Sequence, residues 1–413
     1  MRTHHQYATP GVYLERTFDD SRWREFRTGV PVFLGHIGKP LRQRFPVLTA
    51  WEQLREYFGP AREGSFIPEA VRGFFENGGE QCYVVPLEDS DADPPRSTFE
   101  ALETALHATE ELNTIDLVCA PDIFDESSRR FAPQDPEEFF ALYTQMQQTM
   151  VQHCADVGGR FAILDVDRSA GWAAAWKMAG ENWSAIDGPD GAVYLPWIKA
   201  RAAGSHHASA SVMVPPCGHI AGVYARSDRQ RGVHKAPANE VLQGALDLEY
   251  PVNQSMQAFL NPKGINCIRA FPGRGIRVWG ARTLASHAMW RYVNVRRVFT
   301  TAVRWLQWRM WTVAFEPNDP TLWARFEREL GSYFTEEYHR GALKGNSPQE
   351  AFYVKCDAET NPPETREAGM VVTQIGLAVT PEPFEFVVVR LTYGSGGVKI
   401  HGPVGSWQPS EGE

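Results

Sequence analysis

The chain has 413 residues, with 41 Lys and Arg against 50 Asp and Glu, so its formal net charge is −9. Apolar residues make up 43% and charged residues 22%, ordinary globular values at a length that suits two or three domains, and global disorder is excluded. The mild acidity excludes a surface that grips phosphates all over and leaves room only for a local basic patch.

Residues 1–28 read as an arm. No apolar run of roughly 7–15 residues follows Met1-Arg2, so no signal peptide is expected. Val12-Tyr13-Leu14-Glu15, after Pro10-Gly11, reads as a short strand. Val30 to Leu34 is a strand candidate that ends at Gly35, and Cys82 to Val85 is a second. Between them, Glu69 to Glu76 suits a helix that starts after Pro68 and stops at Gly78-Gly79.

Residues 88–142 hold fifteen acids and three Arg, with Pro94-Pro95 breaking the chain, and predict a solvated outer face of loops and two amphipathic helices. From 115 to 225 short apolar runs alternate with helical stretches: Ile115 to Cys119, 136–153, Phe161 to Leu164, 169–180, Val193 to Ile198. That alternation predicts an α/β domain around a mainly parallel sheet. Ala202 to Ala225 lacks Asp, Glu, Lys and Arg, but its three His and Pro215-Pro216 exclude a membrane helix. The six cysteines are scattered without a C-x-x-C pair, which fits buried, reduced thiols better than a disulfide framework.

Residues 250–315 contain ten Lys or Arg, no Asp or Glu, and five of the chain's thirteen Trp. Read as a helix, 291–313 places Phe299, Val303, Leu306, Met310 and Val313 on one core-facing stripe. Arg297 and Arg304 fall on the opposite side, close in azimuth to Trp308 and Trp311. Exposed Trp beside uncompensated positive charge is costly to leave in water, so an acid-bearing partner surface is expected there. Phe384 to Tyr393, which includes Phe386, Val387, Val388, Val389 and Leu391, is dense in strand-formers. Both chain ends therefore read as strands with little local sequence to pair with.

Catalytic chemistry is weakly signalled. Gly273-Arg274-Gly275 lacks the third glycine of a dinucleotide loop and reads as a turn needing positive φ. His4-His5, His206-His207 and Cys217-x-His219 lack further ligands at a metal-site spacing. No G-x-S-x-G is present, and Asp165-Val166-Asp167 at a strand end reads as capping. No cofactor is expected.

A whole-chain resemblance is more specific. Pro10-Gly11-Val12-Tyr13-Leu14-Glu15, Thr28 to Gly35, Trp51 to Gly59, Gly73 to Gly79 and Cys82 to Val85 follow one another in order. Tyr224-Ala225-Arg226-Ser227-Asp228, Gly232 to Asn239, Leu260 to Asn266, Val278 to Thr283, Phe315 to Asp319, Gly341 to Gly345 and Ala351 to Asp357 continue the series. This run resembles the contractile tail sheath proteins, above all those of extracellular injection systems of the antifeeding-prophage type and of R-type pyocins. The resemblance implies a structural protein, not an enzyme, that stacks as hexameric rings around an inner tube and contracts.

It further implies N- and C-terminal strand arms exchanged between subunits (Val12 to Glu15; Phe384 to Leu391) and a basic helix facing the tube, here Arg297, Arg304, Trp308 and Trp311. The expected division is an arm 1–28, an α/β domain 29–265 with the acidic outer segment 88–142, a smaller α+β inner domain 266–383, and a linking strand 384–413. Implied partners are the chain itself, the inner tube protein, baseplate and terminator proteins and sheath paralogues, with no nucleic acid and no direct membrane insertion. Implied localisation is bacterial cytoplasm, then a particle kept there or released by lysis. Two other classes stay open on the residues alone: an α/β hydrolase or nucleotide-binding enzyme in the central domain, and nucleic-acid binding through 250–315.

Overall fold

A computed structural model describes residues 26–37, 44–87, 98–124, 136–168, 186–203, 210–310, 313, 316–379, 386–394 and 397–402. In chain order come β1 (Pro31–Gly35), β2 (Val47–Leu48), α1 (Gln53–Phe58), α2 (Ile67–Glu76), β3 (Cys82–Pro86), α3 (Thr98–Ala108), β4 (Leu117–Cys119) and α4 (Pro136–Val157). Next are β5 (Phe161–Asp165), β6 (Gly191–Leu195), β7 (Ile198–Arg201), β8 (Ser211–Val214), α5 (Cys217–Arg231), β9 (Glu240–Val241), β10 (Asp247–Leu248) and α6 (Gln254–Leu260). The last third holds β11 (Ile265–Phe271), β12 (Gly275–Val278), α7 (Val293–Met310), α8 (Pro320–His339), β13 (Phe352–Lys355), β14 (Val371–Leu377), β15 (Val387–Gly394) and β16 (Gly397–His401).

The central sheet runs β2-β3-β1-β4-β5-β6-β11-β12-β9. Its β3-β1-β4-β5-β6-β11 section is parallel throughout, as the alternation of apolar runs and helices predicts. Both faces are covered, which explains why these strands are apolar at nearly every position. Val32, Leu34, Ala162 and Leu164 enter one core with α3 and α4; Phe33, Phe161 and Ile163 enter the other with α2 and α5.

A second unit packs α7 and α8 on the antiparallel sheet β13-β14-β15-β16. The predicted stripe is its centre: Phe299, Val303, Leu306, Met310 and Val313 are all buried there, against Leu330, Ile375 and Val389. All six cysteines are buried and free. The glycines of 273–275 sit in the β11–β12 hairpin with φ of +69° and +76°, the turn expected of them.

Four expectations change. The boundary at 265/266 is wrong, because β11 starts at Ile265 and pairs with β6 in the central sheet. Residues 98–124 of the acidic segment are no simple outer face: β4 lies inside the sheet, and Asp116 and Asp122 are 4% and 0% exposed. Val193 to Ile198 is not one strand, since the chain passes there from the central sheet to the small β10-β7-β8 sheet.

Finally, Val387 to Leu391 is no orphan. β15 pairs with β14 from Val387 to Tyr393 and with β16 on its other side, so an exchanged C-terminal strand has no open edge to explain it. Val387, Val389 and Leu391 face the α7–α8 core, while Phe386 and Val388 pack with Ala378 on the other side. The predicted helix 169–180 and the residues Val12, Tyr13, Leu14, Glu15, Trp311 and Phe384 lie outside the described residues.

Candidate functional site

A parallel sheet has all its strand N-termini at one edge, and the residues just before four of these strands are Val30, Asp116, Arg160 and Asp190. Helix α7 crosses that edge. Its apolar stripe faces the second unit, and its other side carries Arg296, Arg297, Thr300 and Arg304 into the central domain. From Val295 to Arg304 the helix is held between two bodies and has no solvent side. That is why Arg297 and Arg304 are 2% and 7% exposed, and why the expected tube-facing basic surface does not exist at these two residues.

The partners are internal. Arg297 donates from Nη1 and Nη2 to both carboxylate oxygens of Asp228 at 2.9 and 2.6 Å, and from Nη2 to Asp116 Oδ2 at 3.1 Å. Arg296 makes a two-pronged pair with Asp190, 2.8 Å on each side. Arg304 Nη2 donates to the Thr114 carbonyl at 2.8 Å, while its Nη1 lies 3.7 Å from Asp116 Oδ2. Burial works against the charged Arg297, but Asp228 and Asp116 more than offset it and raise its pKa further, so it stays a cation. Burial wins at Arg304 and lowers its pKa against the pull of Asp116.

The start of the described chain enters this cluster. Gly29 N and Val30 N donate to the Asp116 carboxylate at 2.9 and 2.6 Å, and the Thr28 side chain lies close enough to Asp228 to favour its charged form. Gly29 has φ +74°, and a Cβ there would stand 2.5 Å from the Ala225 Cα, so only glycine lets the segment lie flat against α5. The Arg304 guanidinium sits 5.2 Å over the Phe26 ring, which in turn lies 6.1 Å from Trp308. Trp308 is 42% exposed, the member of the predicted tube-facing set that reaches solvent among the described residues.

The acids of this cluster are what sequence reading missed. Asp116 and Asp190 each stand directly before an apolar strand, and Asp228 closes the Tyr224–Asp228 motif, so a signal was present. What was absent is the pairing, made across 181, 106 and 69 residues. Three of the ten cations in 250–315 are neutralised this way, which shrinks the basic surface that composition suggests.

The opposite sheet edge, where α/β folds place ligands, is occupied by Asp165, which accepts the Cys217 N–H at 2.9 Å and so caps the first turn of α5. Burial pushes its carboxyl up to about 7 from an ordinary 3.8, against the lowering effect of that hydrogen bond. Between those values the folded chain holds a proton that the unfolded chain releases, so this group's contribution falls as pH rises from about 4 to 7. Asp165→Asn is expected to raise the melting temperature relative to the unaltered chain at pH 8 and to do so much less at pH 4. The ceiling is ~4 kcal/mol. Melts of both proteins at both pH values check it. Among the described residues no group of His, Cys, Asp and Glu could hold a metal ion, and no helix is long and apolar enough to cross a membrane.

Residues 132–284 match the family described as phage tail sheath protein central domain. The whole fold is similar to a chain in the anti-feeding prophage (AFP) baseplate, at 30% identity and TM-score 0.67, covering 92% of this chain and 98% of that one. It is also similar to the AFP helical sheath in its contracted state, at 29% identity, TM-score 0.64 and coverage of 92% and 98%. A sheath complex of the PVC extracellular contractile injection system, also contracted, gives 28%, 0.63, and 92% and 96%. The tail sheath protein of Burkholderia phage BcepMu is 29% identical over 195 residues, 45% of this chain and 38% of that protein. The curated phage relatives are thus matched over well under half of their length. The chain belongs to the contractile tail sheath family.

Proposed function

We propose that the protein is the sheath subunit of a contractile injection particle, a structural protein rather than an enzyme. Copies stack as six-membered rings around an inner tube, seated on a baseplate, and shortening of the cylinder drives the tube through a target membrane. The observation that carries this reading is the similarity over 92% of the chain to a subunit of the AFP baseplate, with contracted AFP and PVC sheaths close behind.

The N-terminal segment Val12 to Glu15 is the linking strand in this reading. Among the described residues β16 pairs with β15 alone, so its outer edge can accept a strand from a neighbour, as an open sheet edge does. Trp308 is the candidate contact for the tube or the next subunit.

Coexpression with tube and baseplate proteins should give long hollow cylinders in negative-stain micrographs, and monomers alone would overturn the sheath reading. Deleting residues 1–16 should abolish the cylinders and leave the monomer's melting temperature within a degree or two. Normal cylinders from the deleted chain would overturn the arm assignment. Counting copies per particle separates the bulk sheath from a ring next to the baseplate.

A further inference from the structure

We propose that Asp116 and Asp228 clamp residues 28–30 into the α7 junction, so that a pull on the N-terminal segment is delivered to the central sheet and to α7 together. This rests on reading that segment as a linking arm. Asp116 accepts the backbone amides of Gly29 and Val30 with its two oxygens while facing Arg297 and Arg304 from α7. Asp228, on α5, takes the fork of Arg297 and has the Thr28 side chain beside it.

One residue later the chain enters β1, which is hydrogen-bonded on both sides, to β3 and β4. Phe26, over Arg304 and beside Trp308, closes the clamp on the helix side. Neutral hydrogen bonds alone would fray under tension. Amides held by a buried carboxylate that is itself pinned by two guanidiniums make charge-assisted bonds, which are shorter and about twice as strong. A neighbour that holds the arm therefore holds both bodies of the subunit at their shared seam.

Helix α7 supplies its own control. Arg296–Asp190 is a second buried two-pronged pair on the same helix, and it does not touch residues 26–30. Full-length Asp116→Asn and Asp190→Asn would be coexpressed with tube and baseplate proteins, with amide hydrogen exchange measured on each monomer. Asp116→Asn should speed exchange at Gly29 and Val30 at least tenfold and give short or fragmented cylinders. Asp190→Asn should leave that exchange within twofold and cylinder length near normal.

Equal cylinder defects from both variants, or unchanged exchange at Gly29 and Val30, would overturn the proposal. If Asp116→Asn does not fold, Phe26→Ala takes its place: it leaves every charge, should shorten the cylinders, and refutes the clamp if they stay normal. Normal cylinders after deletion of 1–16 would instead remove the arm reading, and the exchange result would still report the clamp.

Discussion

Replacing Arg297 with Met should cost about 3–5 kcal/mol, because it strips the cation from two buried carboxylates while their burial remains. Asp116 and Asp228 are 4% and 8% exposed and cannot turn to water. Asp116 retains Arg304 at 3.7 Å, but Asp228 loses a bidentate partner, and the Tyr224 ring beneath the guanidinium at 4.9 Å loses its cation. Against a typical total of about 5–15 kcal/mol, such a loss removes a large share of the stability. A urea titration followed by tryptophan fluorescence would read it as a lower midpoint at unchanged slope.

The same logic gives a second arm. Arg297→Met combined with Asp228→Leu should be less destabilising than Arg297→Met alone, since Asp228 is no longer left as an unpaired buried charge and Asp116 keeps Arg304. If the double variant is as weak as the sum of the two single ones, the pair is not coupled as the geometry requires.

Gly218→Ala should be the other severe change. Helices α2 and α5 cross through small residues: a Cβ on Gly218 would stand 2.4 Å from the Ala70 Cα, and one on Gly222 would stand 2.4 Å from the Phe74 carbonyl. The obstacle is backbone, which cannot rotate away, so the helices must part and the Ile67–Phe74 side of the core opens with them. Overpacking of this kind costs about 1–3 kcal/mol and sometimes more. The helix-forming advantage of Ala over Gly, at most about 1 kcal/mol, does not offset it.

Gly331→Ala isolates that propensity. It lies inside α8 with nothing within 4 Å of its would-be Cβ, and there the same change should stabilise by roughly 0.5–1 kcal/mol. Opposite signs for two Gly→Ala changes in two helices would confirm that contact, and not propensity, decides at Gly218.

Much of the architecture was legible. β1, α2, β3, β5 and the stripe of α7 lie within a few residues of where period and punctuation put them, because each reports its own burial locally: apolar at every position in a two-sided strand, every third or fourth in a helix. The charged side of α7 was misread for a definite reason. Azimuth separates two faces of a helix, but whether a face meets water or a second body is decided by chain 69 to 181 residues away. The C-terminal strand was misread in the same way. Val387 to Leu391 shows its strand character plainly, but not that Val371 to Leu377 runs beside it.

The sequence by itself determined the strongly periodic elements, the parallel central sheet, the absence of recognisable catalytic motifs and, through an ordered series of short strings, the family. Only the tertiary structure decided which charges are surface and which are mortar. Helical and strand periods are local properties of the chain, whereas Arg297 meets Asp116 and Asp228 only because β4, α5 and α7 converge at one sheet edge.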